Sequence, residues 1–336
     1  MILHPSFVLS VVPGETPVGY ASRVAFGLGI SLRVFCSRTD IPLQKLFEGE
    51  AETIGTLRTV CQLPQDTFAD TTFIATPGRR LMLAGQTLSI DQVNREALRV
   101  CPACIREQLS EGRGFHEIWS PREWSITPLH VCNIHAVPIV GITDVGGRSH
   151  RQDFAGRLRE ASIQGLLPSS TMESVPESGL GQHIRQRLLG VDVDHWLSRL
   201  PLYASIKTAY MIGSAAVHGV GQAWVDLSPA ERFEVGRVGH DILNEGEAGL
   251  RGLFTEFQRS SFFEANTSGL LNTFGRIYVS MSQGDDSAFD PLADVLRRHI
   301  IDTMPFGPGD VVLGQEVTER RLHSARTVAP ELGVPS

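Results

Sequence analysis

Residues 101–104 read Cys-Pro-Ala-Cys and residues 132–135 read Cys-Asn-Ile-His, so two tight pairs of metal-binding side chains stand 27 residues apart. A gap of two residues within each pair lets both side chains point at one ion while the backbone turns around it. Three thiolates and one imidazole form a tetrahedral set that suits structural zinc. We therefore predict one structural Zn²⁺ ion, held by Cys101, Cys104, Cys132 and His135.

The predicted zinc site has four protein ligands, which leaves no position for a water molecule, so we do not expect it to be catalytic. The segment between the pairs has room for a hairpin, or for a small helix and a strand, as in a zinc ribbon. Its Phe115, Ile118, Trp119 and Trp124 offer apolar mass to pack against the ligands. The alternative, three buried thiols and a surface histidine, fits the paired spacing poorly.

Composition indicates a folded protein with two or three domains. The chain has 336 residues, of which 42% are hydrophobic and 20% charged. Its five cysteines are an odd number with three in one cluster, which argues against a secreted disulfide framework and favours a cytoplasmic location. The sequence has no apolar run near the roughly 18 residues of a membrane span. The net charge of −7 excludes a protein that coats DNA nonspecifically, so any DNA contact requires a local patch of charge.

Residues 14–70 predict short helices. Thr16 is placed to cap a helix that starts at Pro17, and Ser31 to cap another over residues 32–37. Asp40 is predicted to cap a third helix that starts at Pro42. Helices joined by tight turns in this way are compatible with a helix-turn-helix-like unit.

The segment from 71 to 100 predicts short strands or irregular structure, because β-branched stretches are split by Pro77-Gly78 and by Gly85. One short helix is predicted over Asp91–Arg99, leading into the first cysteine pair. Helical patterning resumes after the second pair, with Gly190 and Pro201 as breaks. Ser228-Pro229-Ala230-Glu231 is a capping box that opens a helix ending near Asn244.

The predicted fold is therefore mainly α, and we divide the chain into four segments. They are an N-terminal helix-turn-helix-like domain (1–100), a small zinc ribbon (101–143), a C-terminal helical domain (144–320) and the start of a second helix-turn-helix-like segment (321–336).

We expect no enzymatic activity, because the sequence lacks the nucleotide-binding and HExxH motifs. Gly284-Asp285-Asp286 superficially resembles a two-metal carboxylate pair, but we interpret it as a solvated loop. Asp192, Asp194 and His195 could in principle form a hydrolase site. We interpret the aspartates as helix caps instead.

An N-terminal helical unit is followed along the chain by RVCPACI, by an insert with a tryptophan at position 124 and by VCNIHAVPIV. This order of elements resembles that of the TniQ family. These are transposition target-selection proteins that include TnsD-like zinc-finger proteins. Asn133 departs from the family pattern, which usually has proline there. Segments 185–202 and 291–334 also resemble the family, whose C-terminal helix-turn-helix would begin near residue 321. Since the sequence ends at Ser336, we expect the recognition helix to be missing.

The resemblance implies a bacterial, non-enzymatic adaptor for target-site selection, linking target DNA or a targeting complex to an AAA+ transposition ATPase. Homodimerisation is implied by analogy, and DNA could be contacted directly or through a partner. The alternative is a zinc-containing, sequence-specific DNA-binding regulator. Basic side chains near the predicted helix-turn-helix-like unit and the ribbon are the candidate DNA contacts: Arg33, Arg38, Lys45, Arg79, Arg80, Arg95, Arg99, Arg106 and Arg113.

Overall fold

The structure of the protein is a computed structural model that describes residues 2–143, 145–147, 149–167, 172–192, 194–260 and 267–322. These residues fall into two compact units. Unit 1 runs to Glu177 and also holds Gly181–Asp192, and unit 2 holds Ser178–Leu180 and the residues after Asp192. About 52% of the chain is helical and its sheets are small, which confirms the predicted mainly-α fold.

Unit 1 begins with four short helices whose starts follow from local capping. Thr16 accepts a hydrogen bond from the Gly19 amide at 3.1 Å, and Pro17 is the first helical residue, as predicted. The prediction for Asp40 is wrong: its φ is 56°, and Pro42 is the residue that precedes the third helix. The helices are α1 (Pro17–Gly27), α2 (Leu32–Arg38), α3 (Leu43–Glu48) and α4 (Ala51–Val60).

These helices enclose one apolar core, in which Tyr20, Phe35 and Leu57 are fully buried. Cys36 and Cys61 lie in the same core, as expected for cysteines that act as small apolar residues. Burial raises the pKa of each of these two thiols to about 12, so both are protonated at neutral pH.

A three-stranded antiparallel sheet follows, in agreement with the predicted short strands. Its strands are β1 (Ile74–Thr76), β2 (Arg80–Leu83) and β3 (Gln86–Ser89). Alternate residues of β2, Leu81 and Leu83, are buried while Met82 between them is exposed. One face of the sheet therefore packs inward, as expected from the two-residue period of a strand.

The predicted helix over Asp91–Arg99 is wrong. Ile90–Gln92 forms a short 3-10 helix, and Leu98–Val100 is strand β4. The Asn94 side chain accepts from the Ala97 amide at 3.1 Å and donates to the Ala97 carbonyl at 2.7 Å. It thereby closes a turn that competes with helix formation. The backbone then extends because β4 pairs with a later strand.

The rest of unit 1 consists of short elements around the two cysteine pairs. They are α5 (Pro102–Ser110), a 3-10 helix (Arg122–Ser125), β5 (Val140–Ile142), α6 (Phe154–Ile163) and most of α7 (Gly179–Leu188). The buried Asp153 joins two helices: one oxygen accepts from Ser22 of α1 at 2.6 Å and the other from the Leu32 amide at the start of α2 at 3.0 Å. Residues 154–163, which the sequence assigned to a C-terminal domain, thus lie in unit 1.

The main elements of unit 2 are α8 (Leu202–His218), α9 (Pro229–Asn244), α10 (Gly246–Ser260), α11 (Thr267–Gln283), α12 (Asp290–Thr303), β6 (Val311–Val312) and β7 (Gln315–Glu316). The Ser228–Glu231 capping box opens α9 as predicted. Helices α8 and α9 approach closely at Gly213, where a Cβ atom would lie 1.8 Å from the Val235 carbonyl oxygen. Among the described helices of both units, none has the length and apolar content to cross a membrane.

Residues 323–336, which make up most of the helix-turn-helix-like segment predicted at 321–336, lie outside the described residues. The division of the chain into four segments stays a prediction.

Candidate metal centre

A single strand pairing brings the two cysteine pairs together. Val100 of β4, immediately before Cys101, pairs with Val140 of β5, five residues after His135. Cys101 is the N-cap of α5, and its sulfur accepts a hydrogen bond from the Cys104 amide at 3.4 Å. The first pair therefore lies on the first turn of a helix, and the second pair lies in the turn that precedes β5.

The four predicted ligand side chains converge on one point. Their ligand atoms all lie within 4.8 Å of one another. The Cys104 sulfur is 3.7 Å from the Cys132 sulfur and 3.2 Å from His135 Nδ1, which in turn lies 3.8 Å from the Cys101 sulfur. A tetrahedron with Zn–S bonds of about 2.3 Å has edges of about 3.8 Å, so the donor set and its spacing fit one zinc ion.

The three cysteine ligands are buried, and the histidine is partly exposed. Val100, Ile105 and Ile118 are almost completely buried in the same cluster, and Phe115 packs against it. Hydrogen bonds from the neighbouring sulfurs, together with burial, raise the pKa of the Cys104 thiol. A bound cation reverses this preference, because metal coordination requires and stabilises the thiolate.

A carboxylate lies beside the candidate histidine ligand. Nε2 of His135 lies 3.3 Å from an oxygen of Glu107, while Nδ1 faces the sulfurs. A carboxylate at the outer ring nitrogen fixes the tautomer and the orientation of a metal-binding imidazole. Sequence reasoning missed Glu107. The sequence feature that could have identified Glu107 is its position three residues after Cys104 on a helix, because this spacing places both side chains on one face.

Gln108 and Arg99 tie the insert to the site. Gln108 donates to the Cys104 carbonyl at 3.3 Å and accepts from the Trp119 amide at 3.4 Å. The Arg99 guanidinium donates to the carbonyls of Trp124, Ile126 and Leu129 at 2.7–3.0 Å. Arg99 was a candidate DNA contact, but the structure gives its guanidinium the role of fixing the insert.

The other candidate DNA contacts have different surroundings. Lys45 forms an ion pair with Glu50 and Arg113 one with Glu111, both at 2.7 Å. Arg95 is half-buried, and desolvation lowers its pKa. Four are exposed (Arg33, Arg38, Arg79 and Arg106) and Arg80 is half-buried. DNA contact by any of them stays a prediction.

Of the residues considered for catalysis, Asp192 and Asp194 are exposed, whereas His195 and Asp286 have structural contacts. The prediction that the two aspartates cap a helix is wrong, because His195 is the N-cap of the 3-10 helix that follows (Trp196–Arg199). Nδ1 of His195 accepts from the Leu197 amide at 3.0 Å, and its ring stacks on His240 with centroids 4.9 Å apart. Desolvation lowers the pKa of both imidazoles. Asp286 accepts from the Tyr203 hydroxyl at 2.8 Å and from the Ala288 amide at 3.2 Å. Residues 284–286 form a loop in which Gly284 and Asp285 are exposed, as expected for a solvated loop, while Asp286 is half-buried.

A comparison with protein families identifies a related family. The sequence model of the TniQ family matches residues 6–139, which confirms the predicted resemblance over that stretch. The matched residues are less than half of the chain and include all four candidate metal ligands. Segments 185–202 and 291–334 lie outside the match. No curated protein matches the chain significantly. The family match points to a role in transposition target selection.

Proposed function

We propose that this chain is a non-enzymatic adaptor for transposition target selection, which links target DNA or a targeting complex to an AAA+ transposition ATPase. The observation that carries the proposal is the extent of the TniQ match. It starts before α1 and ends four residues after His135, so it spans the helical core, the three-stranded sheet and the candidate metal centre.

Zinc acts in this proposal as a structural cross-link. The four protein ligands leave no open position at which zinc could activate water. The residues around the ion shape the site. The β4–β5 pairing aligns the ligand pairs, Glu107 orients His135, and Arg99 and Gln108 hold the insert. The centre thereby gives a fixed shape to the surface that partners bind.

The accessible charges of the first helices balance, so these helices do not present the uniformly basic patch that supports a long DNA interface. Four are basic (Arg33, Arg38, Lys45 and Arg58) and four are acidic (Asp40, Glu48, Glu50 and Glu52). On α3, Gln44 donates to Glu48 at 2.8 Å and Lys45 pairs with Glu50. Carboxylates beside the exposed face of a helix repel the phosphate backbone, which dominates the affinity for DNA. The regulator hypothesis depends on exposed arginines such as Arg33 and Arg38 of α2.

Reconstitution with the transposition ATPase of the same mobile element distinguishes the adaptor from the DNA-binding regulator. We expect the zinc-loaded protein to co-elute with this ATPase in the presence of ATP and duplex DNA. Cys132→Ala should abolish co-elution. Cys36→Ala, the same substitution at a buried cysteine outside the metal centre, should preserve it.

Site-specific DNA binding without the ATPase, unchanged when the ATPase is added, would favour the regulator. A salt titration of fluorescence anisotropy on random duplex DNA counts the phosphates contacted directly, at a slope of about −0.9 per phosphate.

A further inference from the structure

Unit 2 contains a groove that is lined by both apolar and polar residues, with two glutamates among them. It lies among α8, α10, α11 and the α9–α10 junction and has a volume of about 710 Å³. Small and apolar residues, which we call its floor, line one part (Ala215, Gly219, Gly252, Leu253 and Phe257), and Ser260, Asn272 and Thr273 add polar atoms. We define this groove by these residues and by Glu245 and Glu256, and call it the α10 groove.

Small residues on the floor let another backbone come close. Among the described residues, Gly252 of α10 has no atom within 4 Å of the position that a Cβ would occupy, so the groove is open above it in this part of the structure. At Gly249, one turn earlier, a Cβ would lie 2.2 Å from the Ile242 carbonyl oxygen, so this glycine serves the packing of α9 on α10. Helix packing distances depend on the side chains at the contact, and small ones allow the closest approach.

The charge of the rim selects the occupant. Glu245 and Glu256 are exposed, and neither carboxylate has a hydrogen-bond or ion-pair partner among the described residues. Other carboxylates of α9, α10 and α12 are paired: Glu234 and Asp241 with Arg237, Glu247 with Arg251 and Arg298, and Asp302 with Arg251 and Arg321.

The sequence concentrates its negative charge in this unit. Residues 194–322 contain 17 acidic and 11 basic side chains, a net of −6 out of −7 for the whole chain. This field attracts a cationic segment and repels nucleic acid.

We infer that the α10 groove binds a basic amphipathic helix of a protein partner. The apolar face of the partner helix lies on the floor, and its lysines or arginines face Glu245 and Glu256. This is the helix-in-groove mode of recognition, in which apolar anchors give affinity and flanking charges give orientation. The inference does not rest on the proposed transposition role.

The test uses the full chain and a fluorescent helical peptide with leucines at i, i+3, i+4 and i+7 and lysines elsewhere. A peptide in which glutamates replace the lysines is its matched control. We expect saturable binding of the lysine peptide by fluorescence polarisation, and none of the glutamate peptide. Replacing both rim carboxylates (Glu245→Gln with Glu256→Gln) should weaken binding at least about threefold, because two exposed ion pairs are lost.

Gly252→Leu is the decisive variant. It fills the groove from a position with free space, and leucine favours helix over glycine, so the thermal midpoint should not fall. Binding should weaken by more than about tenfold, as for a blocked central contact. Gly55→Leu, the same change on α4 with equally open space, should leave binding unchanged. Unchanged binding to Gly252→Leu, equal binding of both peptides, or the absence of saturable binding would each overturn the inference.

Discussion

The Nδ1 atom of His135 lies 3.2 Å from the sulfur of Cys104, although the two residues are 31 positions apart. This approach depends on the pairing of β4 with β5, a backbone contact that aligns the two candidate ligand pairs without requiring a metal ion. The same ring turns its Nε2 to Glu107, so its orientation is fixed from both sides.

We predict one zinc ion per chain, lost in Cys104→Ala. The metal is expected to contribute folding energy directly, since structural zinc sites bind with apparent free energies of about 10–16 kcal/mol. Metal analysis of the purified protein, together with thermal unfolding before and after chelation, measures both effects. Cys61→Ala, at a buried cysteine outside the centre, should keep a full equivalent of zinc. Full zinc content in Cys104→Ala would refute the ligand assignment.

Glu107→Gln should weaken zinc binding without abolishing it. Loss of the carboxylate at Nε2 of a ligand histidine typically costs about 10–100-fold in metal affinity. Competition with a chromophoric chelator measures this change. The matched control is Glu111→Gln. Glu111 directly follows the same helix, but its carboxylate pairs with Arg113 rather than with His135. Equal affinities of the two variants would show that Glu107 does not act on the metal centre.

Arg99→Ala should destabilise unit 1. The substitution removes the Arg99 donor from the Trp124 and Leu129 carbonyls, whereas the Ile126 carbonyl keeps a hydrogen bond from the Leu129 amide. Unsatisfied buried polar groups cost about 1–3 kcal/mol each, partly recovered by water. We expect the free energy of unfolding in urea to fall by about 2–4 kcal/mol. Arg38→Ala, at an exposed position of α2, should change it by less than about 0.5 kcal/mol. A stable Arg99→Ala protein with weakened DNA binding would instead restore Arg99 as a DNA contact.

Unit 2 should lose stability in mild acid through His299. Desolvation lowers the pKa of this buried imidazole from 6.5 to about 4, with Arg251 contributing in the same direction and Asp302 opposing it. Between these values the unfolded state binds more protons than the folded state. The stabilisation is therefore complete above pH 6.5 and is lost as the pH falls toward 4, by at most about 3 kcal/mol.

Hydrogen exchange of α10 and α12 amides, corrected for the intrinsic pH dependence, measures this loss. His299→Gln should flatten the pH dependence, whereas His218→Gln, at an exposed position of α8, should leave it unchanged. A flat profile in the unmodified protein would contradict the buried neutral imidazole.

The convergence of Cys101, Cys104, Cys132 and His135 could be predicted because local spacing encodes it, and the caps at Thr16 and Ser228 could be predicted for the same reason. Asp40 could not, because it takes a left-handed conformation that closes the end of α2, where the Ile41 amide donates to the Cys36 carbonyl. The segment from Asp91 to Arg99 could not, because the Asn94 turn and the pairing of β4 with β5 override its helical preference. The role of Arg99 was missed because its carbonyl partners lie 25–30 residues further along the chain.

The adaptor account is tested most directly by mapping insertions in cells that contain the transposase, the AAA+ ATPase and this chain. With the unmodified protein we predict frequent insertions at a restricted set of sites. With Cys132→Ala, expressed at equal level, the frequency should fall to that of cells lacking the chain, and Cys36→Ala should retain the unmodified pattern. The same number and distribution of insertions with and without the chain would contradict the account.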